Sequence, residues 1–87
     1  MIKQLVQHKK SKREGVIESY WKRKDVSMVR VLTKNGTFII DEHYTHFDYL
    51  TDPKKQGQII RNGLKEWNKK REKYDLLPLT IPQAFPL

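Results

Sequence analysis

The chain has 87 residues, the size of one small domain. It carries 18 Lys and Arg against 10 Asp and Glu, which gives a formal net charge of +8 at pH 7. There is no Cys, which excludes a disulfide scaffold, a thiolate zinc site and thiol catalysis. No apolar run has the length that crosses a bilayer, and the first ten residues lack the apolar stretch of a secretion signal. These features predict a soluble cytoplasmic protein with a single domain over residues 1–87.

The first third of the chain alternates strand-like runs with polar turns. Residues 2–7 predict a strand, although their apolar positions also fit helical spacing, so a short helix is the alternative. The basic stretch 8–14 predicts a mobile loop. Residues 15–22 are rich in β-branched and aromatic side chains and predict a second strand. A turn at 23–25 then leads to a third strand over 27–33.

A hairpin is predicted at Asn35-Gly36, which lies between two β-rich runs. Both residues accept the positive φ of a type I′ turn, and this dipeptide is the strongest short-range hairpin signal. With these residues as the turn, paired residues have numbers that sum to 71. That register places Arg30 opposite Asp41, an opposite-charge pair that supports the ladder. It also predicts a partly apolar face made of Met28, Leu32 and Ile39.

The last third predicts a helix and a tail. Asp52-Pro53 is a helix start, because Asp is a favoured N-cap and Pro fits the first helical position. Apolar residues spaced by four and three predict an amphipathic helix over 52–75, packed by Ile60, Leu64, Trp67 and Tyr74. The tail over 76–87 has three prolines and no charge, which excludes a helix and favours an extended, polyproline-like path. We expect the tail to dock on the protein's own sheet; insertion into a groove on a partner is the alternative.

The strand pattern resembles small SH3-like and Tudor-like β-barrels. A strand and a basic loop precede Gly15-Val16-Ile17-Glu18, and Val29-Arg30-Val31-Leu32 then leads into a tight hairpin. The resemblance covers about residues 2–50 and includes no diagnostic motif. It implies an α+β fold: a curved antiparallel SH3-like sheet or barrel over 1–51, then one C-terminal amphipathic helix and an extended Pro-rich tail. It implies no functional residue, because folds of this kind host many functions.

Positive charge is concentrated in two segments. Eight cations and two carboxylates give residues 1–24 a charge of +6, and eight cations and four carboxylates give residues 52–75 a charge of +4. Because phosphate backbones are the commonest partners of such clusters, we predict a small non-enzymatic protein that binds DNA or RNA. We expect both segments to form one continuous surface. The predicted contact residues are Lys9, Lys10, Lys12, Arg13, Trp21, Lys22, Arg23, Lys24, Lys69, Lys70 and Arg71.

Several alternatives stay open. Lysines on a helix are often only a solvated face, and Trp21 is either a core residue or, beside Tyr20, a platform for base stacking. The alternative function is a small protein-binding regulator or inhibitor, of the kind that mobile elements and phages encode. It would dock on a larger nucleic-acid-processing protein through the 76–87 tail or the Met28/Leu32/Ile39 face. A third alternative is a subunit whose basic face meets an acidic partner permanently.

The segment 41–48 contains the one cluster of residue types suited to metal binding or catalysis. His43 and His46 would share a face in a helical turn, but they point to opposite sides of a strand, and a strand and turn is the prediction here. No Ser or Thr has a recognisable base and orienting group, and no Gly-rich phosphate loop occurs. We therefore expect no metal site, no cofactor and no enzymatic activity.

Overall fold

The computed structural model describes residues 1–86. Over this range the strands are β1 (Leu5–His8), β2 (Glu14–Arg23), β3 (Val26–Thr33), β4 (Phe38–Glu42) and β5 (Phe47–Tyr49). The helices are α1 (His43–His46), α2 (Pro53–Glu72) and α3 (Ile81–Ala84). The five strands form one antiparallel sheet in the order β4-β3-β2-β1-β5. Because β4 and β5 are both edges, the sheet is open and does not close into a barrel.

The long helix α2 confirms the predicted helix start. The Asp52 side chain accepts the Lys55 N–H at 3.0 Å, and Pro53 occupies the first turn. Its apolar stripe packs on one face of the sheet, in a core formed by Leu5, Val16, Leu32, Ile59, Ile60, Leu64, Ala84 and Phe85. The prediction that Tyr74 packs the helix on the sheet is wrong. Tyr74 lies beyond the end of α2, and its side chain is exposed. No helix formed by residues 1–86 has the length and apolar character that crossing a bilayer requires.

A second, smaller core covers the opposite face of the sheet. Its buried members are Val6, Ile17, Val29, Val31 and Phe47. The short helix α1 lies against β3 and β4, and the chain then returns through β5 to pair with β1. Apolar side chains are therefore buried on both faces of the sheet, and the adjacent pairs Val16-Ile17 in β2 and Val31-Leu32 in β3 each contribute one residue to either core.

The hairpin between β3 and β4 forms, but the predicted register is wrong by one residue. Leu32 lies opposite Phe38 and Arg30 lies opposite Ile40, so paired numbers sum to 70. The Gly36 N–H donates to the Thr33 carbonyl at 3.0 Å, and Gly36 alone in the turn has a positive φ, of 74°. This is the hydrogen bonding of a three-residue loop that ends in a left-handed glycine, and not of a two-residue type I′ turn.

The shifted register removes the predicted Arg30–Asp41 pair. Arg30 instead donates through Nε to the Glu18 carboxylate. Glu18 is largely buried and lies at an irregularity of β2 between Ile17 and Ser19, where one extra residue bulges from the ladder. The cation opposite Ile40 is therefore neutralised from β2, and Asp41 is free to bind other partners.

The two other hairpins differ in how they turn. The β2–β3 turn lies within the predicted 23–25, and Lys24 and Asp25 both have positive φ values of 49° and 67°, as a two-residue primed turn requires. The basic stretch between β1 and β2, predicted as a mobile loop, is a tight turn. Its His8 N–H donates to the Arg13 carbonyl and its Lys12 N–H to the His8 carbonyl, each at 2.8 Å. The strand β1 resolves the choice between strand and helix in favour of the strand.

The tail docks on the protein's own sheet, but the prediction that it contains no helix is wrong. Asn68 holds the incoming chain by bonding both the N–H and the carbonyl of Leu79, at 2.8 and 2.9 Å. Thr80 and Gln83 then form a capping box that starts α3. Pro82 is tolerated because it lies in the first turn, where its missing N–H is not needed. Phe85 follows the helix and is 2% exposed, within the core beneath α2.

Candidate nucleic-acid interface

A groove of about 490 Å³ opens where three separate segments meet: the β1–β2 turn, the β3–β4 turn and the first half of α2. A shallower depression adjoins it and shares Lys34, Asn35 and Asn62 with it. We call the two together the turn–helix groove. Its cationic lining residues are Lys12, Arg13, Lys34, Lys55 and Lys65, and its amide lining residues are Asn35, Gln58 and Asn62.

Two glycines allow α2 and the β3–β4 turn to approach closely enough to form this groove. A Cβ on Gly63 would lie 2.5 Å from the Thr33 carbonyl oxygen, so the helix backbone rests directly on the end of β3. A Cβ on Gly36 would lie 2.6 Å from the Trp67 backbone nitrogen. Both distances are shorter than any real Cβ contact. The polar face of α2 is therefore held beside the turn by backbone-to-backbone packing.

Side-chain hydrogen bonds fix the other walls of the groove. The Arg13 guanidinium donates to Thr37 Oγ1 at 3.0 Å, which links the β1–β2 turn to the β3–β4 hairpin. Lys70 Nζ lies 3.3 Å from the Gly36 carbonyl oxygen and anchors the same hairpin to α2. The three segments are therefore joined to one another and not merely adjacent.

The groove carries an excess of positive charge. Its lining contains five cations and two carboxylates, Glu14 and Glu66, a net charge of +3. Lys55 Nζ lies 2.9 Å from Glu14 Oε2, and this carboxylate raises the pKa of Lys55. Glu66 accepts from Lys69 at 3.2 Å. Within residues 1–86, the three remaining lysines, Lys12, Lys34 and Lys65, lie within ion-pair distance of no carboxylate.

Of the predicted contact residues in the β1–β2 turn, Lys12 and Arg13 line the groove. Lys9 instead lies 3.9 Å from Asp48 on β5. Lys10 is exposed at the tip of the turn and is not part of the lining. The basic turn is therefore divided between the groove and the opposite edge of the sheet.

The predicted stripe at the end of α2 is largely occupied by intramolecular contacts. Lys69 pairs with Glu66, Lys70 binds the hairpin carbonyl, and Arg71 donates through Nε to the Leu77 carbonyl at 3.0 Å. These side chains support the walls of the groove and the path of the tail. They lie close to the groove but do not line its main cavity.

The remaining cluster, Lys22, Arg23 and Lys24, is at the far end of the β2–β3 hairpin. Along β2, Lys22 is eight positions and Arg23 nine positions from Glu14 at the groove, which at ~3.3 Å per residue is about 26–30 Å. The structure therefore does not bring the predicted cations together into one surface. It assigns them to a groove, to supporting contacts and to a separate turn.

Trp21 is not a core residue. Its side chain is 39% exposed, and it lines a second depression with Tyr20, Lys22 and Tyr44. Tyr20 is also exposed, so both rings border this depression. Trp67 is the tryptophan that packs inside, edge to face on Phe38 with ring centroids 4.9 Å apart.

Most of the α2 residues that line the groove were not among the predicted contact residues. Lys55, Gln58, Asn62 and Lys65 recur at spacings of three, four and three, which places them on one helical face. That polar stripe was readable from the sequence. Lys34 was missed for a different reason. The predicted two-residue turn gave no indication that the Lys34 side chain lies beside the helix.

Segment 41–48 was predicted as a strand and turn, and it contains the end of β4, one helical turn (α1) with both histidines, and the start of β5. The two histidines nevertheless diverge. His43 is buried, and its Nε2 is hydrogen-bonded to the Tyr49 hydroxyl, whereas His46 Nδ1 lies 2.6 Å from Asp41 Oδ1. His8 Nε2 reaches the other oxygen of Asp41 at 2.9 Å. Within residues 1–86 no group of three potential ligands converges in a way that could hold a metal ion.

Asp41 is a clamp between the two imidazoles of His8 and His46. Partial burial would raise the pKa of Asp41, but the hydrogen bonds from both histidines and from the Glu42 N–H outweigh it and hold the pKa at about 2. Burial lowers the pKa of His43, so this imidazole is kept neutral. Through Asp41, the hydrogen bonds of His8 and His46 join β1, β4 and α1, so these residues stabilise the fold.

The Met28/Leu32/Ile39 face proposed for a protein partner does not form. Leu32 is fully buried beneath α2, whereas Ile39 lies opposite Val31 and packs on the other face of the sheet. The one-residue register shift is the cause, because it moves every β4 side chain to the opposite face.

Comparison of the chain with protein-family models, with curated proteins and with solved structures found no match.

Proposed function

We propose that this protein binds nucleic acid through the turn–helix groove and performs no chemical conversion of it. The observation that carries the proposal is the convergence on one groove of three lysines from separate segments, Lys12, Lys34 and Lys65, which have no carboxylate partner among residues 1–86. Cations that are far apart in sequence and meet at one concave surface differ from a solvated helix face, which needs only its own helix.

The lining suits a sugar–phosphate backbone. Lysine and arginine neutralise phosphates and release condensed counterions, which supplies the sequence-independent part of the affinity. Arg13 is positioned by Thr37 and has further N–H groups to offer a phosphate. The amides of Asn35, Gln58 and Asn62 lie among the cations and can both donate to and accept from sugar hydroxyls or base edges.

The test is to measure binding affinity at a series of salt concentrations, using the fluorescence anisotropy of labelled duplex and single-stranded oligonucleotides as the readout. With about four phosphate contacts, the log–log slope of affinity against salt should be about −3.6 on duplex DNA and about −2.8 on single strands. Replacing Lys34 or Lys65 with Ala should each reduce the duplex slope by about 0.9.

The matched control is Lys22→Ala, which removes the same charge at the far end of the β2–β3 hairpin. It should leave the slope unchanged. If the Lys22 and Lys34 variants reduced the slope equally, only net charge would matter, and the groove would be rejected as the binding site. Absence of binding at low salt would reject nucleic-acid binding altogether.

We further infer that the sheet is an opened SH3-like arrangement. The support is its connectivity: β1 to β4 form a meander, one helical turn follows β4, and β5 returns to pair with β1. This relationship concerns architecture alone and assigns no functional residue.

A further inference from the structure

The edge strand β4 is charged only at its C-terminal end, at Asp41 and Glu42, and its first three residues lack the protection that sheet edges normally carry. Natural edge strands are blunted by lysine, proline, strong bulges or a covering element. In β4 the run Phe38-Ile39-Ile40 has neither charge nor proline, and its pairing with β3 is regular. Ile40 lies at the middle of the strand and is 57% exposed. Within residues 1–86 no strand pairs with its outer side.

The hydrogen-bond phase of the hairpin shows which backbone groups face outward. The Thr33 N–H donates to the Thr37 carbonyl at 2.9 Å, so this is a hydrogen-bonded pair. Bonded and non-bonded pairs alternate along an antiparallel ladder. Ile39 and Asp41 therefore bond to β3, and the N–H and C=O groups of Phe38 and Ile40 point away from the sheet.

We propose that β4 is a dimerisation strand, which pairs antiparallel with β4 of a second copy of this chain about a two-fold axis at Ile40. In this arrangement the two Ile40 residues face each other and exchange both of their outward backbone hydrogen bonds. Phe38 of each copy lies opposite Glu42 of the other. The two sheets then become one continuous sheet, and the interface is isologous, as in most closed dimers.

The charges along the edge are complementary under this two-fold axis. The Phe38 end of β4 carries the positive charge of Lys70, whose Nζ lies 3.3 Å from the Gly36 carbonyl oxygen. The Arg30 guanidinium also lies 4.4 Å from the Phe38 ring centroid, but its charge is offset by Glu18. The other end carries the Glu42 carboxylate, which makes no ion pair within residues 1–86. Antiparallel pairing brings each Glu42 to the positive end of the other copy. A parallel arrangement would place like charges together.

Apolar surface beside the strand adds to the proposed interface. Phe38, Trp67, Tyr74 and Leu76 line a depression next to the free edge, and Tyr74 and Leu76 are exposed. The net charge of +8 on each copy opposes association, but at physiological ionic strength charges farther apart than about 8 Å are largely screened. The local pairing of charges at the edge therefore decides the orientation.

The first test is sedimentation equilibrium of the full chain over micromolar to millimolar concentrations. The wild type should show a monomer–dimer equilibrium, and Ile40→Lys should remain monomeric while its circular dichroism spectrum is unchanged. Leu77→Lys is the matched control, because Leu77 is 82% exposed and lies outside the strand. This control should dimerise as the wild type does. A wild type that stays monomeric throughout would overturn the proposal.

The second test uses the absence of Cys from the chain. Paired residues at a hydrogen-bonded position have Cα atoms about 5.5 Å apart, a distance that a disulfide spans. Under mild oxidation Ile40→Cys should cross-link about tenfold faster than Leu77→Cys, because pairing raises the local thiol concentration. Equal rates would overturn the two-fold axis at Ile40. Neither test depends on nucleic-acid binding, so failure of one proposal leaves the other standing.

Discussion

Replacing Gly63 with Ala should destabilise the protein, although alanine is the better helix former. Gly63 lies inside α2, where the change to Ala contributes about 1 kcal/mol of helix propensity. The new methyl group, however, would lie 2.5 Å from the Thr33 carbonyl oxygen and 3.1 Å from Leu32 Cγ. The nearer atom belongs to the sheet backbone, which cannot rotate away as a side chain can.

The magnitude follows from these two opposing terms. Overpacking a well-packed site costs typically about 1–3 kcal/mol, and contact with backbone belongs at the upper end of that range. Subtracting the propensity gain leaves a net loss of about 1–2 kcal/mol. For a chain of this length, such a loss lowers the melting temperature by roughly 4–16 °C.

Gly57 provides an internal control in the same helix. A Cβ there would meet only the guanidinium of Arg61, at 3.1 Å, which is the flexible end of a long side chain. Gly57→Ala should therefore stabilise the protein by about 0.5–1 kcal/mol. Thermal and urea unfolding followed by circular dichroism measure both variants. If Gly63→Ala were as stable as Gly57→Ala, the close packing of α2 on β3 would be refuted.

Three further predictions concern stability. Asp41→Asn should lower the unfolding free energy at pH 7 by about 1–2 kcal/mol. A carboxyl whose folded-state pKa is about 2 stabilises the fold above about pH 4, and this contribution is lost as the pH falls towards 2, so the variant should lack that part of the acid dependence. Burial lowers the pKa of His43, so the unfolded state takes up the proton more readily; the stability advantage of the wild type over His43→Phe should therefore shrink as the pH falls below about 6.5. Phe85→Ala, which empties a buried site at the end of the tail, should cost about 3–5 kcal/mol in urea unfolding.

Each of these predictions has an outcome that would contradict it. If the unfolding free energy of Asp41→Asn kept the full acid dependence of the wild type, the lowered pKa of Asp41 between the two histidines would be contradicted. A constant stability difference between wild type and His43→Phe across this pH range would show that His43 titrates normally. Leu77→Ala is the control for Phe85→Ala, because Leu77 is exposed and its truncation should change stability by less than about 0.5 kcal/mol. Equal effects of the two would mean that the tail is not anchored.

Local signals in the sequence predicted the elements well and their pairing less well. The Asp52 cap and the β-branched runs identified α2, β2 and β3, because capping and strand propensity act within a few residues. The register between β3 and β4 depends on whether the turn contains two or three residues. The sequence Asn35-Gly36 is compatible with either turn length. Phe38 beneath Arg30 and against Trp67 favours the observed register, and this contact involves a helix about 30 residues away in the chain.

The candidate site was predicted only in part for the same reason. Charge counts along the chain identify basic segments, but they do not show which end of a strand a segment occupies. The length of β2 separates Lys22 from Lys12, whereas Gly36 and Gly63 bring Lys34 and Lys65 together. These relationships follow from hairpin geometry and backbone contact, which a linear charge map does not contain.

The most direct measurement is an NMR titration of the ¹⁵N-labelled protein with a short oligonucleotide. The account predicts that backbone amide shifts change around Lys12 and Arg13, around Lys34 and Asn35, and along the Lys55 to Lys65 face of α2. Amides near Lys22 to Asp25 should stay unperturbed. Changes confined to that far turn, or a spectrum that does not respond to the oligonucleotide, would contradict the turn–helix groove as the binding site.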